Sequence, residues 1–319
     1  MIKFPSIEQF RNVIREVRTN HDYQGKNEFD EPVYRHLSEY PVIDFFGTVK
    51  LHGTNAAIVK YKDRIDFQSR ERVLSLTSDN AGFMLSMKSK ELDFLFTDLE
   101  FEDHIAVYGE WCGHGIQNGV AISELPKMFV IFAWKIDGEW INIQRFDPDQ
   151  GIYDIAAFPT YNMTIDFNNP EEAQNRLIEL TELVERECPV GKHFGVSGVG
   201  EGIVWHNADR RYIFKVKGEK HSSSKVKTLA TVDTEMISSM NEFVDYALTE
   251  NRLQQGLTKL QEMGKEVSQK YTGDYLRWIV GDIMKEEEDT IVTNGFDPKK
   301  LNPIISNKAR VWFFNNLPV

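Results

Sequence analysis

Cysteine is nearly absent from this chain: there are two, Cys112 and Cys188, and they do not form a CxxC pair. In 319 residues they read as reduced, buried thiols rather than a disulfide framework. Long apolar runs are missing as well. No stretch approaches the roughly 20 apolar residues that a membrane span needs. The opening "MIKFPSIEQFRNVIREVR" carries charge throughout and lacks the apolar centre of a secretion signal. A cytoplasmic protein with no membrane partner is expected. Positive charge is also short: 37 Lys and Arg against 49 Asp and Glu leave a net charge of -12. That balance argues against a protein that coats nucleic acid without regard to sequence or shape. Zinc spacing is lacking too. His104, Cys112 and His114 lie close together, but no fourth ligand stands at zinc-finger distance, so no zinc site is expected.

What is present is an ordinary globular composition, 41% hydrophobic, long enough for one large domain or two. Ser6 with Gln9 three residues on suggests a capped helix start, with Ile7, Phe10, Val13, Ile14 and Val17 on one stripe. From about position 40 the texture changes to short apolar runs bounded by Gly, Asn and Asp. "PVIDFF", "AAIVKY", "RIDFQSR", "IAVYGEW", "MFVIFAWKI", "EWINIQRF", "GIVWHN" and "RYIFKVKG" read as strands. Segments near 78–96 and 170–187 have helical spacing instead. Strands and helices without regular βαβ alternation predict an α+β domain of largely antiparallel sheets with flanking helices. After "HSSSK" the spacing is helical throughout: Met236, Met240, Phe243 and Val244, then Leu253, Leu257 and Leu260, then, beyond a break at Gly273, Leu276, Ile279 and Ile283. A boundary near 228 is expected, dividing a 1–228 domain from a small all-helical domain over 229–319.

Five islands could carry chemistry. In "FFGTVKLHGTNAAIV", Lys50 stands between an apolar run and the turn His52-Gly53-Thr54-Asn55. A lysine is a nucleophile only without its proton, which desolvation or a neighbouring cation promotes; taken alone, it is an ordinary surface lysine. "FQSRER" places Arg70 and Arg72 at a strand end, where an arginine forks onto phosphate or carboxylate. "VYGEWCGHG" sets Glu110 in an apolar strand, where an acid needs a partner or a cleft. "GVSGVGEGIVWH" has glycines in the wrong order for a dinucleotide loop and lacks the ending of a P-loop. It delivers Glu201 to the start of a strand, a place suited to a metal. In "IFKVKG", Lys215 and Lys217 alternate with apolar residues and so share a face. An anion such as a polyphosphate would relieve their repulsion. The surrounding 210–227 stretch holds seven Lys or Arg against one acid, Glu219, a local basic face on an acidic body.

In this order, Lys, Arg, Glu, Glu, Lys-x-Lys, the islands resemble the covalent nucleotidyltransferase superfamily of polynucleotide ligases and mRNA capping enzymes. "KLHGTN" matches its nucleophile motif, and "YGEWCG", "FVIFAWKI", "EGIVWH" and "FKVKG" match its later motifs across roughly 40–220. The match is to the double-strand-specific phage RNA ligases and the kinetoplastid RNA-editing ligases, because His52 and Asn55 stand where DNA ligases and capping enzymes carry Asp and Arg. The resemblance implies an adenylylation domain followed by the helical tail. It implies an ATP-dependent ligase that joins 5′-phosphate and 3′-hydroxyl RNA ends through lysyl-AMP and RNA-adenylate intermediates, using magnesium or manganese.

On this sequence, the resemblance makes Lys50 the nucleophile, with Leu51 and Asn55 beside it in the nucleotide site. Arg70 would touch phosphate or the RNA end, and Glu110 the ribose hydroxyls. Phe132 would stack on adenine, with Phe129 as the other reading of that register. Glu201 would hold the metal, and Lys215 and Lys217 the phosphate. Val49 stands where close relatives often carry Glu. The implied partner is RNA, as a nicked duplex or free ends, acted on by a monomer that could be phage-encoded and work in a host cytoplasm. A DNA ligase of the same chemistry and a catalytically silent RNA-end-binding module are the rivals. The latter would be expected to have lost one of Lys50, Glu201, Lys215 or Lys217, and all four are present.

Overall fold

The computed structural model describes residues 1–35, 39–221 and 239–318. The expected boundary near 228 and the lysines of the basic stretch beyond 221 lie outside the described residues. The chain divides into two compact units, one built from Met1–Leu74 and Ala81–Lys220 and a second that includes Ser75–Asn80 and the C-terminal helices.

The first unit opens with β1 (Glu8–Gln9), α1 (Phe10–Asp22) and the hairpin β2 (Tyr23–Lys26) and β3 (Pro32–Tyr34). Next come β4 (Val42–Lys50), β5 (Thr54–Lys60), β6 (Ile65–Ser69), α2 (Phe83–Lys88) and β7 (Ile105–Cys112). β8 (Met128–Ile136), β9 (Glu139–Ile141), β10 (Ile152–Asp154) and β11 (Thr160–Asp166) follow, then α3 (Glu171–Arg186), α4 (Pro189–His193), β12 (Gly202–His206) and β13 (Ile213–Lys217). One sheet runs β1-β13-β12-β4-β11 and the other β10-β8-β7-β5-β6, with β9 hydrogen-bonded to β8. Pairing is antiparallel except for β1 on β13 and β10 on β8. This is the α+β, largely antiparallel architecture that the texture predicts.

Three differences from the sequence reading have local causes. Ser6 does not cap α1, because Glu8 and Gln9 are taken by parallel pairing with Phe214 and Lys215, and the helix starts after them. The 78–96 segment gives only one short helix and a 3₁₀ turn at Asp93–Leu95, since the left-handed Gly82 precedes the one and Ser89 ends it. Of "EWINIQRF" only Glu139–Ile141 pairs, as an edge strand after the Asp137-Gly138 turn.

The period-2 alternation of β4 divides the first sheet into two faces. Phe45 and Val49 point into a core shared with Phe10 and Val13 of α1 and Leu177 and Val184 of α3. Phe46, Thr48 and Lys50 point the other way and are more exposed. The second sheet packs Phe67, Trp111, Phe129 and Ile131 against Phe83 and Met87 of α2 on its outer side. Its inner side contributes Ala57, Tyr108 and Ala133 to a smaller cluster with Ile213 of the first sheet and Phe4. The two sheets therefore meet face to face through that cluster.

The described part of the second unit beyond residue 239 is helical: α5 (Met240–Ala247), α6 (Glu250–Glu262), α7 (Thr272–Glu286), α8 (Glu288–Thr293) and α9 (Pro298–Asn315), with a 3₁₀ turn at Gln269–Tyr271. Phe243, Leu253, Tyr275, Ile279, Leu301 and Phe313 form its core. The break expected at Gly273 falls earlier, because Gly273 already lies in the first turn of α7. Among the described residues, no helix is long and apolar enough to cross a membrane.

Candidate active site

Three neighbouring strand ends converge on one carboxylate. In the first sheet Gly202 pairs with Lys50 on one side and with Lys217 on the other. That register sets the residue before Gly202, Glu201, between two lysines that are far apart in sequence. Lys50 Nζ lies 2.7 Å from Glu201 Oε2 and Lys217 Nζ 3.0 Å from Oε1. His52 Nδ1 is 3.1 Å from the same Oε2 that meets Lys50. Glu201 is only 2% exposed, whereas Lys50 and Lys217 retain 19% and 17% of their side-chain surface. The lysines thus form the open side of the cluster and the carboxylate its base. Burial, the largest influence on Glu201, opposes its charge, but Lys50, Lys217 and His52 together hold the carboxyl well below its ordinary value. Glu201 is ionised throughout the neutral range.

Gly202 permits this arrangement. Its φ is +150°, and a Cβ there would lie 2.1 Å from the carbonyl oxygen of Val216. Gly202→Ala is expected to cost about 2 kcal/mol, the scale of one strained backbone residue. It should also pull Glu201 away from Lys217. Urea unfolding of the purified variant measures the first effect.

The turn after Lys50 links the two sheets. β4 ends at Lys50, and β5 starts at Thr54 in the opposite sheet. Leu51 is buried in the core below the first sheet, so its side chain anchors the turn. Gly53 packs so closely that a Cβ would sit 2.4 Å from the Trp111 carbonyl. Its N–H donates to Glu110 Oε1 at 3.1 Å, tying the lysine turn to the second sheet. Asn55 stands opposite Glu110 across the β5–β7 ladder, and Glu110 opposite Val130. Lys215 lies two residues before Lys217 on the same face, paired with Val204.

The strand register separates the two phenylalanines left open by the sequence. Phe129 is fully buried on the outer side of the second sheet, 5.0 Å from the Phe83 ring centroid. Gly109 has no side chain because that ring crosses over it: a Cβ would meet Phe129 at 2.4 Å. Phe132 is part-buried and packs on the inner cluster. Tyr108 pairs with Ala133 and Gly109 with Ile131, so Phe132 is the extra residue of a β-bulge. Arg70 stands, half-buried, one residue past the end of β6, and the ladder stops beside it at Ala56 and Ser69. The side chains that meet Glu201 are those of Lys50, Lys217 and His52, and Arg70 is not among them. His52 was not singled out from the sequence as a site residue; its distance from Glu201 in the chain hid the contact. No group of three or more His, Cys, Asp or Glu that could hold a metal occurs among the described residues. Cys112 and Cys188 are both buried and free, with burial pushing each thiol up.

Residues 43–227 match a family model described as RNA ligase. Among solved structures, Naegleria gruberi RNA ligase with PPi aligns over 69% of this chain and 56% of that chain, at 18% identity and TM-score 0.45. A lysine-to-alanine mutant of that ligase with ATP and Mn aligns over 69% and 57%, at 17% identity and TM-score 0.44. The chain spans little more than half the length of that ligase. No curated protein sequence matches the chain.

Proposed function

Because the chain belongs to the RNA ligase family, we propose that it joins RNA ends with ATP through an adenylate carried on Lys50. The observation that supports this most is the pairing of Lys50 and Lys217 to one buried carboxylate, at 2.7 and 3.0 Å. Phosphoryl-type transfer is served chiefly by positioned charge, and the cluster supplies a nucleophile, a second cation and an anion within one contact shell.

In the first step Lys50 gives up its proton and its Nζ attacks the α-phosphorus of ATP. A P–N bond forms, the bond to the bridging oxygen breaks, and pyrophosphate leaves. Lys217, with Lys215 further along the same face, would hold the negative oxygens of that phosphate. Glu110 would take the ribose hydroxyls, and Phe132 would face the base. An oxygen of an RNA 5′-phosphate then displaces Lys50, giving an RNA-adenylate and restoring the amine. Attack by a 3′-hydroxyl on the RNA phosphorus releases AMP and leaves a phosphodiester.

A divalent metal fits one part of this site. Between Lys50 and Lys217 stands one buried, ionised carboxylate, Glu201, which suits magnesium or manganese whose other ligands are phosphate oxygens and water. Glu201 would hold it, and the ion would neutralise charge on the phosphates. Holding the ion would also draw Glu201 Oε2 away from the Lys50 ammonium. Recognition of the RNA would be by A-form shape and 2′-hydroxyls. Arg210, Arg211, Lys215, Lys217 and Lys220 supply a local basic stretch despite the overall acidity, so binding should weaken steeply with salt.

The test is sealing. With ATP and magnesium, a labelled 5′-phosphate at a nick in duplex RNA should be converted to a longer, phosphatase-resistant strand. Sealing of a DNA nick with none at RNA would assign the DNA-ligase alternative. Binding of RNA ends with no sealing of either would assign the silent binding module.

A further inference from the structure

The first nine residues cross both sheets. Glu8 and Gln9 add an edge strand to the first sheet, with Gln9 opposite Lys215. Further back, the Ile2 N–H donates to Gln68 Oε1 on β6 of the second sheet at 3.0 Å. Lys3 Nζ lies 3.6 Å from Glu71, the neighbour of Arg70. Between these two attachments Phe4 is inserted where the sheets meet, only 7% exposed. Its ring centroid lies 5.1 Å from that of Phe132 at 75°, 5.3 Å from Tyr108 and 5.7 Å from Trp140.

Phe132 needs such support. As the extra residue of a bulge it has no cross-strand partner, so the ladder does not fix its direction. Its carbonyl oxygen accepts from Arg210 Nη2 at 2.9 Å, which holds the backbone but leaves the ring to packing. Phe4 supplies the edge-to-face contact to that ring, a geometry that aromatic pairs favour.

We propose that Phe4 is a positioning residue: the N-terminal segment straps the two sheets together and sets the Phe132 ring as the wall against which the nucleotide base packs. The inference rests on the ligase reading, in which Phe132 faces the base. Phe4 itself need not touch the nucleotide. Its effect is to keep the wall formed before ATP arrives, so that binding does not have to order the ring.

The test compares Phe4→Leu with the parent protein, both freed of bound adenylate. Leucine keeps most of the buried volume and loses the ring contact. The probe is α,β-methylene ATP with magnesium, titrated by calorimetry, alongside adenylylation kinetics. Phe10→Leu is the control. It removes another buried ring, one that packs on Phe214 on the other side of the first sheet. Phe4→Leu should weaken binding of the analogue about tenfold, the order that one aromatic pair contributes. It should raise the half-saturating ATP concentration by a similar factor, with a much smaller change in maximal rate. Phe10→Leu should leave the affinity where it is. Unchanged affinity in Phe4→Leu, or equal weakening in both variants, overturns the inference alone. Failure of the parent protein to bind the analogue overturns it together with the ligase reading.

Discussion

Glu201→Gln should lower transfer of AMP from ATP to the protein by about 10²–10³-fold, the scale for removing one preorganised charge from a transfer site. Two consequences of the substitution oppose each other. An amide no longer holds a proton on Lys50, which on its own would favour the free amine and speed attack. The same amide leaves Lys50 and Lys217 facing each other without the anion between them, and it removes the one carboxylate that suits a metal here. The second consequence dominates, because positioned charge contributes more to phosphoryl-type transfer than nucleophile basicity does. The carboxyl's own titration has a definite sign. It is held well below the ordinary 4.5, so the cluster's stabilisation is complete above that value. It is lost as pH falls through the depressed folded value. Glu201→Gln should remove this part of the acid sensitivity, read as a smaller drop in unfolding midpoint between pH 5 and pH 3. Activity equal to the parent at neutral pH would show that Glu201 serves structure alone.

Arg252→Met should cost the helical unit about 3–5 kcal/mol, the usual penalty for breaking a buried ion pair by removing one member. Arg252 is 0% exposed, with Nε 2.7 Å from Asp282 and Nη2 3.2 Å from Glu287. Nη1 also donates to the carbonyl of Ala247. Burial opposes the guanidinium's charge, and the two carboxylates outweigh it, raising its pKa. Asp282 is 21% exposed and stays solvated when the arginine goes, whereas Glu287 is fully buried and does not. Adding Glu287→Leu should accordingly recover most of the loss, since apolar replacements of a buried pair are often neutral. Hydrogen exchange of the amides in α5–α9 reports on this unit by itself. A single variant as protected as the parent would contradict the assignment.

These two predictions differ in how far the sequence foretold their residues. Glu201 was visible because a carboxylate follows a glycine-rich turn and opens an apolar strand. Lys215 and Lys217 were visible through strand alternation. The strands and α3 were legible for a related reason: their apolar periods are decided locally, as with Leu177, Leu180 and Val184 of α3. Contacts between distant segments were not. Nothing in "KLHGTN" says that His52 meets a carboxylate 149 positions later. Arg252 in "ENRLQQGL" has the look of a solvated helix face, and only the packing of α6 against α7 buries it. Ser6 and Gln9 have the spacing of a capping box, yet an edge-strand partner in Phe214 and Lys215, far along the chain, claims Glu8 and Gln9 first. Phe129 and Phe132 stand three positions apart on β8 and so take opposite faces, but which face is covered by α2 and which by the other sheet is decided by distant segments that the local pattern does not name.

The central claim is that Lys50 carries the adenylate. Adenylate-free protein would be incubated with magnesium and α-labelled ATP, beside Lys50→Ala, then denatured, separated and digested to locate the label. Acid-labile label is expected on the peptide containing Lys50, with none in the variant and none from α-labelled GTP. Label that persists in Lys50→Ala, or an active RNA-sealing protein that never takes label from ATP, would contradict it.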